Sequence, residues 1–191
     1  MSQSTDSRGL PALREEIEGI DREIVERIAQ RTYFGSAVAA VKAERDLPTT
    51  DTDRERVVLD RAVENAERFE LERNLVQAVS RLLIELSKVE QQEDTTMSQT
   101  PEDMSLEELR EEIESIDREI VELIARRTYV AETIADVKDE QGLPTTDEEQ
   151  EQAVMDRAGD NAERFDVDSN LVKAIFRLLI ELNKVEQRES R

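Results

Sequence analysis

The chain contains no cysteine and no histidine. Disulfides, thiol nucleophiles, imidazole bases and zinc sites built on Cys or His are therefore excluded. A metal site made of carboxylates alone stays open in principle, but no metal and no other cofactor is expected. Aromatic residues make up 3% of the chain, with only 5 Gly and 4 Pro. Strand formers and hairpin turns are thus scarce, which suits helices separated by a few breaks. No apolar run approaches the roughly 20 residues of a membrane span, and no signal peptide is visible, so the cytoplasm is the expected location.

Positive charge is also short. Lys and Arg number 26 against 47 Asp and Glu, a formal net charge of -21. Such a balance argues against nucleic-acid binding, which needs basic patches. It fits either ordinary solubility or adaptation to high salt, where screening relieves self-repulsion. An anionic substrate would then require a local cluster of cations. Although 38% of residues are charged, the apolar ones recur at regular spacing, which points to an ordered fold.

What is there is written twice. Leu13 to Glu18 (LREEIE) returns as Leu109 to Glu114, and Leu47 to Asp51 (LPTTD) as Leu143 to Asp147. Asn65 to Phe69 returns as Asn161 to Phe165, and Arg81 to Leu86 as Arg177 to Leu182; the offset is 96 residues each time. The segment between is polar and carries Pro101. The reading is one copy over 1–91, a linker over 92–105 and a second copy over 106–191.

Each copy reads as three helices, so the fold class is all-α. Leu13, Ile17, Ile20, Ile24 and Ile28 recur at three- and four-residue spacing, and the pattern runs to about Glu44, before Pro48. Thr50 or Asp51 can cap a second helix reaching about Arg68, and a third spans about Asn74 to Gln91. Some 30 residues of first helix make about 45 Å. Two shorter helices cannot cover that length, so the copies are expected to pair as an intertwined pseudo-dimer, within one chain or by exchange between two.

The apolar stripe of the first helix is then interrupted. At the same spacing it continues as Arg31, Gly35, Val38 and Lys42. Two cations face the interior with small residues between them, which leaves a gap where core should be. On the third helix the inward positions after Leu83 become Ser87 and Gln91. Asp51, Arg54 and Glu55 lie within one turn of each other. Cations around a gap describe a berth for an anion; salt bridges with the many acids are the plainer alternative for any single one. The runs Glu107-Glu108 and Glu148-Glu149 read as solvated faces.

This ordered set resembles the all-helical (AroQ-type) chorismate mutase family: L-R-x-x-I, then Arg, then Lys eleven residues on, a proline break, D-x-x-R-E and S-x-x-x-Q. The resemblance covers nearly all of both copies. It implies a Claisen rearrangement of chorismate to prephenate, on the route to phenylalanine and tyrosine. It implies that Arg31 and Arg54, helped by Ser87, hold substrate carboxylates, that Lys42 and Gln91 face the ether oxygen, and that Glu55 with Asp51 takes the ring hydroxyl. It further implies that the arginine of L-R-x-x-I enters the partner's site, so that Arg110 completes the first site and Arg14 the second. The second site would use Arg127, Lys138, Asp147, Glu151 and Gln187, with Gln150 in the place of Arg54 and Asn183 in that of Ser87. Gln150 removes a charge and a bidentate grip, so the second site is expected to be the weaker. Two rival readings are an isochorismate-pyruvate lyase of the same fold and a non-catalytic helical interaction module.

Overall fold

The computed structural model describes residues 9–48, 51–93, 104–144 and 148–189, with side chains in the third and sixth helices described to Lys88 and Glu181. Six helices follow in order: α1 (Leu10–Glu44), α2 (Thr52–Arg68), α3 (Arg73–Glu93), α4 (Leu106–Glu140), α5 (Glu148–Arg164) and α6 (Ser169–Glu189). No strand occurs among the described residues. The repeat thus yields two three-helix units. α3 runs two residues beyond Gln91, into the segment read as linker.

Local chemistry sets the ends. α1 stops in a turn where Asp46 adopts φ 53° and the Leu47 amide donates to the Lys42 carbonyl at 2.9 Å. In the second copy Gly142 takes that conformation at φ 65°, and Leu143 donates to Lys138. The turn brings Asp51 back beside the last turn of α1. There Asp51 Oδ1 accepts the Arg54 amide at 3.0 Å and caps α2. Ser105 and Glu108 close a capping box at the start of α4. Glu108 is exposed, as read, but it acts as a cap partner rather than as mere solvated surface; its bonds to Ser105 hold its carboxyl below the usual range.

α1 and α4 form the central pair. α2 leans on α4 and α5 on α1, so each unit's second helix lies against the long helix of the other. α3 and α6 close the assembly. Leu13, Ile20, Ile24 and Ile28 of α1 are essentially inaccessible, as are Leu109, Ile120 and Ile124 of α4. Each such side chain contributes roughly 1.5–3 kcal/mol on burial. The stripe that one copy could not cover is covered by the other.

The seam also contains charge. Arg31 Nε donates to Asp117 Oδ1 at 2.5 Å, and its repeat equivalent, Arg127 Nε, donates to Asp21 Oδ1 at 2.6 Å. Arg61 with Glu114 (2.5 Å) and Arg157 with Glu18 (3.4 Å) form a second equivalent couple. The half-exposed Arg27–Glu119 and Arg126–Glu16 pairs contribute little. The buried arginine–aspartate pairs act differently: removing either partner would strand a charge in the interior.

Candidate active site

A cavity of about 300 Å³ opens between α1, α2 and α3 of the first unit and α4 of the second. Every residue that the sequence assigns to the first site lines it, Gln91 excepted: Arg31, Lys42, Asp51, Arg54, Glu55, Ser87 and, from the other copy, Arg110. Gln91 lies in α3, but its side chain is outside the described residues.

Arg31 is the best-fixed of these groups. It is 4% exposed; Nη1 donates to the Leu83 carbonyl at 2.9 Å and to Ser87 Oγ at 2.8 Å, while Nε holds Asp117. A purely structural arginine could make such a pair with an acid. Arg31 also borders the cavity. Gly35, one turn on, also lines the cavity and lets α3 come close to α1: a Cβ there would stand 2.9 Å from Ser87 Oγ. Lys42 is 7% exposed, with Nζ 3.9 Å from Asp51 Oδ2. The same oxygen lies 3.6 Å from Arg110 Nη2. Glu55 is held by Lys88 at 3.0 Å, and hydrogen bonds to Glu85 and Glu55 raise the Lys88 ammonium above its usual range.

The lining carries eight Lys or Arg against five Asp or Glu. In a chain with a net charge of -21 this is a local reversal of sign. Low-dielectric walls strengthen such a field, and it favours a multiply charged anion. Among the described residues no cluster of acids suits a metal ion. The arrangement can grip carboxylates, orient a polar ring and present an ammonium to a developing oxyanion.

Sequence reasoning missed four groups at this site. Asp117 orients Arg31 from the other copy; Arg61 and Lys88 bring further charge; Ser80 lines the wall. Asp117 had a signal, since Asp21 and Asp117 each sit on the inward face, four residues before a buried valine, Val25 or Val121.

Of the residues expected in the second site, Arg127 and Lys138 are buried, and Arg14, Gln150 and Glu151 are half-buried. Asp147 and the side chains of Asn183 and Gln187 lie outside the described residues.

Seven of the side chains expected in the first site thus line one cavity, drawn from both copies. The model for chorismate mutase type II matches twice, over residues 13–92 and 109–188. A chorismate mutase of Methanocaldococcus jannaschii is 38% identical over 84 residues, covering 44% of this chain and 85% of that protein. The T-protein of Haemophilus influenzae is 33% identical over 73 residues, 38% of this chain and 19% of that protein. No solved structure matches significantly. Matched twice by the family model, over most of its length, this chain belongs to the chorismate mutase type II family and is an enzyme of the chorismate mutase class.

Proposed function

We propose that the chain converts chorismate to prephenate in the cavity between α1–α3 and α4, one molecule lying across the boundary of the two copies. The observation that carries this reading is Arg110. It comes from the second copy, yet it lines the first copy's cavity together with Arg31, Lys42 and Arg54. Four cations converging from two copies suit a substrate with two carboxylates.

The rearrangement is one pericyclic step: a C–O bond breaks as a C–C bond forms, and no proton, nucleophile or electron carrier takes part. An enzyme can therefore act by conformation and electrostatics alone. Arg31, locked by Ser87, Leu83 and Asp117, gives one carboxylate a preorganised grip. Arg54 and Arg110 supply the second, and holding both selects the compact conformer in which the reacting carbons meet. Such positioning contributes several kcal/mol to the barrier. As the ether bond opens, charge grows on its oxygen. The Lys42 ammonium and a Gln91 donor stabilise that charge more than the ground state. Asp51 and Glu55 take the ring hydroxyl.

We take the copies to pair within one chain, a reading that the α1–α4 contacts of a single chain support. Chorismate and isochorismate should be assayed side by side, with prephenate and pyruvate measured separately. Prephenate from chorismate supports the reading; pyruvate from isochorismate alone would replace it with the lyase.

A further inference from the structure

Three paired positions differ between the copies in a single direction. Ser80 lines the cavity, while its repeat equivalent on α6 is Phe176, fully inaccessible within the main hydrophobic cluster. Gly35, which lines the cavity, is replaced by Ala131, also part of that cluster. Asp117 borders the cavity with a side chain 21% exposed, whereas Asp21 is 5% exposed.

The polar atoms there respond to the closure. Asp21 Oδ2, Arg127 Nη1 and Arg157 Nε and Nη2 are buried without a hydrogen-bond partner in the chain. The equivalent Arg31 instead makes three hydrogen bonds, and Arg61 lines the open cavity. Burial also pushes the Asp21 carboxyl up, against the pull of Arg127 and Arg157. Each buried group left unpaired calls for an explanation, and loss of the opening supplies one.

We infer that the second copy's site is filled by Phe176 and Ala131 and turns over no substrate, so that the chain works through one active site to which the second copy lends Arg110 and Asp117. The inference rests on the mutase reading for its activity but on packing for its mechanism.

Two measurements test it. Lys42→Ala disables the first site alone, and chorismate turnover should fall below one hundredth of the parent rate. A residual of about one half would mean a working second site and would overturn the inference. Ser80→Phe copies the filler into the open site, and should remove activity while the melting temperature holds or rises; retained activity overturns the assigned role of position 176. Phe176→Ser is read by melting alone and should lose roughly 10 °C, the result of deleting a core ring. An unchanged melting temperature overturns the filling even if the parent chain shows no mutase activity, a result that would instead refute the proposed reaction.

Discussion

Asp51 touches both copies at once: Oδ1 takes the Arg54 amide at 3.0 Å, while Oδ2 stands 3.6 Å from Arg110 Nη2 of the second copy and 3.9 Å from Lys42 Nζ. One carboxylate starts α2 and steadies two cations of the site. The two duties separate by substitution. Asp51→Ala removes the cap at a cost of about 1 kcal/mol, or roughly 2–4 °C in Tm for a chain of this size. Asp51→Asn keeps a capping oxygen and should melt within a degree of the parent. Both should raise KM, since Lys42 and Arg110 lose their anchor. Equal melting of the two variants would refute the capping role.

Lys42→Ala should lower kcat by about 10²–10³ at saturating chorismate. An ammonium that acts on charge appearing only in the transition state leaves ground-state binding largely intact. A loss confined to KM would assign Lys42 to carboxylate binding instead.

Gly35→Ala tests the space beside Arg31. The added Cβ would meet Ser87 Oγ at 2.9 Å and Ser87 Cβ at 3.2 Å. Either Ser87 releases Arg31 or α3 shifts outward. A cost of about 1–3 kcal/mol is expected, with at least a tenfold loss in kcat/KM. A fully active variant would show that the Ser87–Arg31 contact is dispensable.

Arg54→Gln reproduces in the first copy what Gln150 already is in the second. It should reduce kcat/KM by at least a factor of ten, as a charged, forked donor is lost. Gln150→Arg should change the rate little. Equal effects, measured by initial rates on the two single variants, would contradict the asymmetry.

Asp21 gives a pH signature. Burial raises its carboxyl above 3.8 in the fold, so the native state holds a proton that the unfolded chain releases. Stability from this group is therefore greatest below about pH 3.8 and falls as pH rises toward the elevated native value. Subtracting an Asp21→Asn variant cancels the other carboxylates. The parent's stability relative to the variant should decline with rising pH in denaturant titrations. A difference that grows with pH would show that Arg127 outweighs desolvation.

Much of this was legible in the chain. Period 3.6 exposed α1 and α4, and the break in their apolar stripe exposed Arg31 and Lys42. Asp51 could be read as a cap because helix starts have local chemistry. Asp117 was harder, because a stripe shows which residues turn inward but not what the facing helix presents to them. Phe176 was harder still. On its own helix it is an ordinary apolar residue at an inward position. Its meaning appears only when Ser80, its counterpart, is found lining a cavity. The ends of the helices, such as α3 continuing to Glu93, follow from backbone hydrogen bonding that residue types specify loosely.

The seam residues have a consequence for ancestry. Arg14 and Asp21 are the first copy's own versions of Arg110 and Asp117. If one site alone turns over substrate, as inferred above, the N-terminal half, severed and self-associated, would furnish two complete berths, whereas the C-terminal half, doubled, would furnish none. On that inference, fusion trades twofold redundancy for a division of labour, in which one half serves as a buttress while the other keeps the chemistry.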